Sequence, residues 1–436
     1  MKKIIIIALS LAIVLGFVFW RFGPSISLFG GSKPSGPITL TYWGLWEDDN
    51  LIKPLIEAYT KQNPNIVINY VKQSSINYRT RVQTQIREGV GPDVFRIHNS
   101  WIPMFLSDVA SAPSDIFNLT DYRNIFYPVA EESLVRSNQI LAAPMEVDGL
   151  ALYYNEEILN GIGGKPPKNW QEFIDLATKM TVKDASGIKT AGAAIGSTGN
   201  VDHWSDLIAV LLLQQPGVDL TNVATAPVAE IFRFYTGFVT DPKRKTWDIN
   251  LPNSTQMFAQ GRLGFYFAPS WRAHELRVAN PNLKFKVASV PQLSGKSVAY
   301  ASFWAEAVSK NSKNPKEAWK FVKYLSSAEG EKLAYQQASQ IRLFGEPYSQ
   351  TVLASEIAQD PIVGAFVTQG PIYKSWYLSS STFDAGINDE MIKYFEDGIN
   401  ATLQGTPPET ALQTVNQGVK QVLDKYTKPA PAPIGK

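Results

Sequence analysis

The chain has 436 residues, a length for which two domains are the ordinary expectation. Hydrophobic side chains make up 44% of it and charged ones 18%, which excludes an intrinsically disordered protein. The net charge of +2 indicates no polyanion-binding surface and hence no nucleic-acid partner, and the absence of cysteine excludes disulfides, a thiol nucleophile and a lipid-modified cysteine.

The first element in chain order is an apolar run over residues 4–20, which follows Lys2 and Lys3 and contains no charged side chain. Such a run is typical of an export signal, and its length reaches that of a membrane span. Only a poor cleavage site follows, at residues 25–27. We therefore predict that residues 1–21 form a retained membrane anchor, with a cleaved signal as the alternative, and that the lysines keep this terminus in the cytoplasm.

The two ends of the folded body are predicted to lack regular structure. Residues 22–37 are rich in glycine, serine and proline, which predicts a flexible linker. Residues 427–436 contain three prolines, which predict a disordered tail.

Strand-like and helix-like segments take turns between these ends. Strand patterns are found at residues 38–42, 66–71, 93–97 and 150–154. Helix patterns are found at residues 51–59 and 78–88, and two further helices are predicted to begin after the capping residues Asn169 and Asn314. This alternation predicts an α/β fold with largely parallel sheets.

Residues typical of metal and nucleophilic catalysis are sparse. The three histidines, His98, His203 and His274, are widely separated, and no cysteine accompanies them. Metal sites of the usual ligand types need closer spacing, and the chain has no G-x-S-x-G motif. We therefore predict neither an enzyme nor a cofactor.

Aromatic and polar side chains recur instead where predicted strands end. The face of an indole stacks on the C–H face of a sugar ring, and carboxylates, amides and guanidinium groups bind its hydroxyls. The candidate ligand-binding residues are Trp43, Trp46, Glu47, Asp48, His98, Asn99, Ser100, Trp101, Asp148, His203, Trp204, Trp271, Arg272, Trp304 and Trp376. Taken singly, each tryptophan is more often a core residue, and Trp170 and Trp319 are assigned to the core.

The turn after the first predicted strand, YWGLWEDDN over residues 42–50, shows both possibilities. We expect one of Trp43 and Trp46 to be structural and the other to face a ligand. Glu47 or Asp48 would accept hydrogen bonds from hydroxyl groups. In the alternative reading, Asp48 and Asp49 only stabilise the start of the following helix.

Several runs together resemble the extracellular solute-binding proteins of ABC importers, in the family that includes maltose- and other oligosaccharide-binding proteins. The runs are ITLTYW at residues 38–43, GPDV at 91–94, APMEVDGLALYYN at 143–155, PPKNWQEF at 166–173, FAQGR at 258–262, PSW at 269–271 and VSKNSKNPKEAW at 308–319. Their order and spacing are more specific than any one of them.

This resemblance implies a two-lobed periplasmic-binding-protein-like fold of type II, whose α/β lobes are joined by hinge strands. The expected first lobe is residues 38–145 with 293–315 returning to it. The expected second lobe is residues 146–292, with most of 316–426 added. Ligand closure is expected about crossings near residues 143–149, 287–292 and 314–318.

The resemblance also implies roles for particular residues. Trp43, Glu47 and Asp48 match the sugar contact of the first lobe, and residues 98–101 with Asp148 resemble further cleft positions. Trp271 matches the stacking aromatic of the second lobe, and Trp376 lies where a further aromatic platform is often found. Residues 302–305 are bulkier than expected, so the shape of the cleft and its ligand are expected to differ.

The function implied is a monomeric, membrane-tethered receptor that captures a sugar or oligosaccharide and delivers it to the permease subunits of an ABC transporter. One alternative is a glycoside hydrolase that uses two cleft carboxylates such as Glu47 and Asp148. The other is a carbohydrate sensor or adhesion module without transport, because one fold hosts many functions.

Overall fold

The computed structural model describes residues 36–427. The predicted anchor, all but the last two residues of the linker, and the tail after Thr427 lie outside the described residues. Among residues 36–427, none of the helices combines the length and the hydropathy that a bilayer span requires.

The strands of the described part are short. They are β1 (Ile38–Gly44), β2 (Ile66–Lys72), β3 (Val94–His98), β4 (Val109–Ala110), β5 (Val135–Arg136), β6 (Gln139–Ile140), β7 (Ala142–Pro144), β8 (Ala151–Asn155), β9 (Val182–Asp184), β10 (Gly187–Ala193), β11 (Leu263–Ala268), β12 (Phe285–Ala288), β13 (Ala299–Tyr300), β14 (Trp304–Ser309) and β15 (Tyr373–Lys374).

The α-helices cover both sheets. They are α1 (Asp49–Gln62), α2 (Tyr78–Arg87), α3 (Ile102–Phe105), α4 (Leu119–Ile125), α5 (Pro128–Leu134), α6 (Glu156–Gly161), α7 (Trp170–Met180), α8 (Trp204–Gln214), α9 (Ala226–Thr240), α10 (Ser254–Ala259), α11 (Arg272–Ala279), α12 (Pro315–Leu325), α13 (Ala328–Ser339), α14 (Ala354–Ile357), α15 (Gly364–Gln369), α16 (Ile387–Leu403) and α17 (Pro408–Thr427). Single 3₁₀ turns occur at Asn99–Trp101, Thr351–Leu353 and Gly370–Ile372.

Local sequence accounts for the helix starts that were predicted. The side chain of Asn169 accepts a hydrogen bond from the backbone N–H of Glu172 (2.9 Å), and the Glu172 carboxylate accepts one from the N–H of Lys168 (2.8 Å). These reciprocal bonds fix the start of α7. At α12, Pro315 occupies the first helical position and Asn314 makes no side-chain capping bond.

Two main sheets divide the described chain into two halves, which we call the first and second lobes. The first-lobe sheet has the order β2-β1-β3-β14-β4, with β7 also paired to β14. The second-lobe sheet has the order β12-β8-β11-β10-β9. The mixed α/β class and the two sheets agree with the sequence-based prediction of the fold.

The prediction of largely parallel sheets was wrong. In the first lobe β3 runs parallel to β1 but antiparallel to β14, and in the second lobe β8 runs antiparallel to both β11 and β12. The reason is connectivity. β14 re-enters the first sheet from the second lobe, so it runs against the strand beside it, which periodicity within a single strand does not reveal.

Three crossing segments connect the lobes, at residues 145–150, 289–303 and 340–350. The first two bond to each other through the N–H of Leu150 and the carbonyl of Tyr300 (2.9 Å), and through the N–H of Ser302 and the carbonyl of Asp148 (3.0 Å). The third joins them because the N–H of Val147 donates to the carbonyl of Pro347 (3.1 Å). The crossing segments therefore form one hydrogen-bonded strip between the sheets.

The expected position of the third crossing, and part of the expected lobe division, differ from the structure. Residues 314–318 begin α12, which packs on β14, and α13 packs on α1, so both helices belong to the first lobe. Trp319 of α12 is fully buried and donates from Nε1 to the carbonyl of Ala110 (3.0 Å). A helix directly after β14 covers the sheet that β14 has just entered, because the apolar face of that sheet needs a second layer.

The remaining C-terminal helices are shared between the lobes. α15 packs against β12 of the second lobe. α16 and α17 pack against each other and against α9, and α17 also touches α3 of the first lobe. Residues 316–426 are thus divided between the lobes.

Candidate functional site

A cavity of about 470 Å³ lies where the two lobes and the crossing segments meet. Its lining comes from the strand ends and turns of both lobes. The lining residues are Trp46, Glu47, His98, Glu146, Asp148, Gly149, Leu150, His203, Asp206, Pro269, Trp271, Arg272, Glu275, Ser302, Phe303, Trp304, Arg342, Glu346 and residues 380–383. Eight of the fifteen candidate residues are in this set.

The two tryptophans near the end of β1 have different surroundings. A Cβ on Gly44 would stand 2.3 Å from the hydroxyl of Tyr70, so a larger residue there would have to displace the Tyr70 ring. Trp43 points into the first-lobe core and is 8% exposed, whereas Trp46 is 43% exposed and lines the cavity. The ring of Trp46 meets that of Trp304 edge to face, with centroids 5.8 Å apart.

Asp48 does not line the cavity. It is the residue before α1, it is exposed, and its carboxylate pairs with Lys72. Its carboxylate makes no capping hydrogen bond, so what it offers α1 is negative charge near the positive end of the helix dipole. Asp48 therefore matches the alternative interpretation of the sequence, in which it only stabilises the start of the following helix.

Beneath the cavity, Arg96 of β3 is surrounded by three glutamates. It is 2% exposed and forms ion pairs with Glu47, with Glu146 (3.2 Å) and with Glu306 of β14 (3.3 Å). Although burial alone would lower the pKa of Arg96, these carboxylates raise it well above its ordinary value. Glu47 and Glu146, which line the cavity, are thus fixed from below by one buried cation.

The three glutamates are not equivalent in their protonation. Burial tends to raise the pKa of Glu47, but Arg96 outweighs it and lowers that pKa, so Glu47 is ionised. Burial raises the pKa of Glu306 to about 8 and that of Glu146 well above its ordinary value, and Arg96 only partly opposes the rise. Glu47 is therefore the ionised partner of Arg96, and burial favours the protonated forms of Glu146 and Glu306.

Of the run at residues 98–101, only His98 lines the cavity. Its Nδ1 lies 2.7 Å from the hydroxyl of Ser100 and its Nε2 lies 3.1 Å from that of Ser302. Burial lowers the pKa of His98 to about 3, so the ring is neutral and lines the cavity as a hydrogen-bonding group. Its ring meets that of Trp304 edge to face at 5.1 Å.

The other three residues of this run are structural. The amide of Asn99 donates to Ser375 (2.8 Å), and the hydroxyl of Ser100 accepts from Asn388 (2.7 Å). The indole of Trp101 is 1% exposed and stacks on Phe105. These contacts attach the end of β3 to the C-terminal segment.

Asp148 lies on the first crossing segment and also lines the cavity. Its carboxylate accepts hydrogen bonds from the N–H of Gly149 (2.7 Å) and from the N–H and hydroxyl of Ser270 (3.1 and 2.9 Å). Burial raises the pKa of Asp148 to about 7, although these hydrogen bonds oppose the rise. One side chain thus joins a crossing segment to the turn that precedes Trp271.

The second-lobe side of the cavity is built around Trp271 at the start of α11. The guanidinium of Arg272 lies 4.3 Å from the centroid of the Trp271 ring, and its Nε donates to Nε2 of His203 (3.0 Å). Nδ1 of His203 lies 2.7 Å from the hydroxyl of Ser380. Asp206, one helical turn after His203, accepts a bond from the N–H of Ser380 (3.2 Å).

Trp204 and Trp376 lie outside the cavity lining. Trp204 begins α8 and is half-buried against the core. Trp376 is 8% exposed, its ring meets Phe395 edge to face, and its carbonyl accepts a bond from the hydroxyl of Tyr300 (2.7 Å).

Residues 36–427 contain one group of side chains with the spacing of a cation site. Carboxylate oxygens of Glu47, Glu146 and Glu346 all lie within 4.8 Å of one another. Glu47 and Glu146 are bound by Arg96, and Glu346 pairs with Arg342. Since Ca²⁺ takes six to eight oxygen ligands, three carboxylates already engaged by arginines fit a metal poorly.

Comparison with known proteins identifies the family. The family model described as bacterial extracellular solute-binding protein matches residues 44–332 of this chain. The chain belongs to this family. The match runs from the end of β1 into α13, so it spans both lobes and two of the three crossings.

Individual members are distant in sequence and similar in fold. The multiple sugar-binding protein of Streptococcus mutans is 23% identical over 308 residues, which cover 67% of this chain and 71% of that protein. A cyclo/maltodextrin-binding protein complexed with maltotetraose matches with a TM-score of 0.72 and 18% identity, covering 90% of this chain and 99% of that one. The sugar-binding protein MalE of Xanthomonas citri matches with a TM-score of 0.70 and 19% identity, covering 89% and 98%.

Sequence reasoning missed several residues that line the cavity of this solute-binding protein. Glu146 stands two residues before Asp148 in a run that was already singled out, and Asp206 stands one helical turn after His203, so proximity to chosen residues could have found both. Arg342, Glu346 and residues 380–383 lie in irregular segments without a motif. Only the third crossing and the C-terminal helices bring those segments to the cavity.

Proposed function

We propose that this solute-binding protein captures a sugar or an oligosaccharide outside the cytoplasm and delivers it to the permease subunits of an ABC importer. The observation that carries the proposal is the composition of the cavity. The indoles of Trp46, Trp271 and Trp304 line it together with carboxylates and histidines. Aromatic faces for C–H surfaces and acceptors for hydroxyl groups are the two requirements of a sugar ring.

The relatives support a carbohydrate as the solute. The protein of Streptococcus mutans is a multiple sugar-binding protein, and the matching structures hold maltotetraose in one case and cycloalternan in another. The second of these is an ABC substrate-binding protein from Listeria monocytogenes.

The ligand contacts we propose are those candidate residues that line the cavity. The rings of Trp46 and Trp304 meet edge to face on the first-lobe side, and Trp271 lines the cavity from the second lobe. Glu47, Asp148 and the histidines supply hydrogen-bonding groups; the full set is Trp46, Glu47, His98, Asp148, His203, Trp271, Arg272 and Trp304.

A binding screen with two variants tests this assignment. The purified body, from Ser32 to Lys436, is mixed with mono- and oligosaccharides, and a true ligand raises its melting temperature. Trp271→Ala should weaken binding of that ligand by about 1–4 kcal/mol and change stability little. Trp319→Ala, the matched core control, should lose roughly 3–5 kcal/mol of folding free energy. If Trp271→Ala unfolds the protein while Trp319→Ala does not, the assignment is wrong.

We further propose that ligand closes the lobes about the crossing segments at residues 145–150, 289–303 and 340–350. Three backbone hydrogen bonds link these segments to one another, and the segments are where the chain passes between the two sheets, so a rotation between the sheets would bend the backbone there. Small-angle X-ray scattering should show a smaller radius of gyration with saturating ligand. Superimposable curves would exclude closure.

The apolar segment at residues 4–20 is proposed to hold the body at the outer face of the membrane. Mass spectrometry of protein from its native membrane should find residues 21–33 still joined to the preceding segment. A new N-terminus at residues 25–35 would show a cleaved signal instead.

A glycoside hydrolase is the competing function, because carboxyl groups line the cavity. Two catalytic carboxyls would have to flank one glycosidic oxygen, at separations of roughly 5–10 Å. Turnover of chromogenic glycosides by the purified body would support the hydrolase, and stoichiometric binding without turnover supports the receptor. Deletion of the gene distinguishes a receptor for transport from a sensor. Sugar uptake should fall if the protein supplies a transporter and should persist if it only senses the sugar.

A further inference from the structure

The C-terminal segment at residues 380–383 lines the cavity, and sequence reasoning gave it no role. Phe383 in this segment is 58% exposed, whereas every other phenylalanine among residues 36–427 is buried or half-buried. A ring left in water forgoes the free energy that burial of its apolar surface would provide. The ring of Phe383 is therefore apolar surface at the cavity that the fold itself does not cover.

The backbone of this segment has an uncommon conformation. The φ angles of Ser381, Phe383 and Ala385 are 59°, 50° and 42°, in the left-handed region that residues with a Cβ rarely adopt. These three residues are exposed, and the two residues between them are buried. For a side chain as bulky as phenylalanine such a φ is an outlier, and strain of this kind persists only where the surrounding structure fixes it.

The start of the segment is attached to the second-lobe wall. The N–H of Ser380 donates to the carboxylate of Asp206 (3.2 Å), and the Ser380 hydroxyl lies 2.7 Å from Nδ1 of His203. The ring of His203 meets that of Trp271 edge to face, with centroids 5.6 Å apart. The segment thus begins beside the tryptophan that we propose as a ligand contact on this wall.

The end of the segment is attached to the start of α16 and to the first lobe. The carboxylate of Asp384, which is 1% exposed, accepts hydrogen bonds from the N–H groups of Gly386 (2.8 Å) and Asn388 (3.1 Å). The guanidinium of Arg79 on α2 donates to the backbone carbonyls of Asp384 and Ala385. Both ends are therefore fixed, and these bonds hold the strained residues at the cavity.

We propose that Phe383 is a ligand-contacting residue of the cavity, and that its ring packs on the C–H face of a bound sugar. This rests on the proposed function, because it adds a contact to the same site. A sugar face placed on the ring supplies the burial that the unliganded ring lacks. The ring has no polar atom, so the contact adds affinity through apolar area and not through a hydrogen bond.

Isothermal titration calorimetry with glucose, maltose, maltotriose, cellobiose and cellotriose tests the contact. Phe383→Ala should weaken binding of the sugars that the unmodified protein takes by about fivefold or more. Phe383→Tyr and Phe383→Trp keep an aromatic face and should stay within about threefold of the unmodified affinity. Leu106→Ala is the matched control, because Leu106 is 54% exposed and lies outside the cavity lining, and it should keep the affinity.

The stability of Phe383→Ala separates a contact from a structural role. Alanine is less crowded than phenylalanine in the left-handed region, and the ring it replaces is mostly in water. The melting temperature should therefore stay within about 2 °C of the unmodified value. A larger fall, together with unchanged sugar affinity, would mean that the ring supports the fold and does not bind the ligand.

A fluorine label tests whether the ring itself meets the sugar. With 4-fluorophenylalanine at position 383, the difference in fluorine chemical shift between ordinary and heavy water reports the exposure of the ring. Saturating sugar should reduce this difference, because C–H groups of the ligand replace water at the ring. An unchanged difference with sugar bound would place the ring in water and overturn the contact.

The remaining outcomes distinguish this contact from the proposed function. If sugars bind the unmodified protein and Phe383→Ala equally well, Phe383 is not a contact and the sugar receptor stands. If the tyrosine and tryptophan variants bind as weakly as Phe383→Ala, an aromatic face is not what the ligand requires there. If the unmodified protein binds no carbohydrate, the proposed function fails and this contact fails with it.

Discussion

The two walls of the cavity hold their charges by different means. On the first-lobe wall, Glu47 is bound to the fully buried Arg96, which lies beneath the surface on β3. On the second-lobe wall, Arg272 lies over the ring of Trp271 and pairs with Glu275, which is half exposed to solvent. Buried charges with several partners are rigid, and exposed pairs exchange readily with water.

This difference suggests a division of roles between the lobes. The first-lobe wall is organised before ligand arrives, because the buried Arg96 binds both Glu47 and Glu146 of the first crossing segment. The charged pair of the second-lobe wall, Arg272 with Glu275, is partly exposed and is free to rearrange in the closure proposed above. Preorganisation of one wall lowers the entropy lost on binding, and adjustability of the other permits closure.

Removing the buried cation should produce the largest effect. Arg96→Met leaves the ionised Glu47 buried without its counter-ion and removes the shared partner of Glu146 and Glu306, and we expect a loss of about 3–5 kcal/mol in the free energy of unfolding. Arg272→Met on the second-lobe wall should cost less than about 1 kcal/mol. Urea denaturation of both variants measures the difference, and equal losses would show that the walls are not distinct.

The next effect separates Trp43, within β1, from Trp46, in the turn that follows β1. Trp43→Ala should lower the free energy of unfolding by roughly 3 kcal/mol, because its indole is packed in the core. Trp46→Ala should leave stability nearly unchanged and weaken sugar binding by about 2 kcal/mol. Thermal unfolding and calorimetry on the same samples give both quantities. Loss of stability in Trp46→Ala alone would reverse the assignment.

The buried acids make stability depend on pH. Since the pKa of Glu306 is about 8 in the folded protein and near 4.5 when unfolded, the folded state binds the extra proton between these values. The stabilisation is complete below about pH 4.5 and is lost as pH rises through 8. Each pH unit in this window is worth at most about 1.4 kcal/mol.

Glu306→Gln should therefore reduce the fall in unfolding free energy between pH 5 and 8. We expect roughly 2 kcal/mol less fall than in the unmodified protein, which is below the limit because Glu306 shares Arg96 with Glu47 and Glu146 and the three carboxyl groups titrate together. Denaturant titrations at the two pH values measure it. Parallel pH profiles of the two proteins would mean that Glu306 does not titrate in this range.

The smallest effect concerns the cation–π contact on the second-lobe wall. Arg272→Lys keeps the positive charge but loses the planar stacking on Trp271, and sugar affinity should fall by about 0.5–1 kcal/mol. The free energy of unfolding should be unchanged within about 0.5 kcal/mol. A stability loss larger than the affinity loss would mean that Arg272 mainly stabilises the fold and contributes little to sugar binding.

The sequence by itself determined the local elements and the class of side chains that line the cavity. Period-two and helical patterns located β1, β2, β3, β8, α1 and α2, and the Asn169 capping pattern located the start of α7. Aromatic and polar residues at strand ends pointed to Trp46, Trp271 and Trp304, because the end of a strand is where a side chain leaves the sheet and reaches a cleft.

Only the tertiary structure decided which neighbour in each cluster faces the cavity. Trp43 lies near the end of β1 and is packed in the core, whereas Trp46 lies just beyond the strand and is exposed to the cavity, a difference that the residue type does not predict. The strand pattern alone could not place Arg96 beneath Glu47 and Glu146, because these residues come from separate parts of the chain. Glu346 joins them only because the third crossing returns at residues 340–350, and chain return over such distances is fixed by packing between sheets and not by local preference.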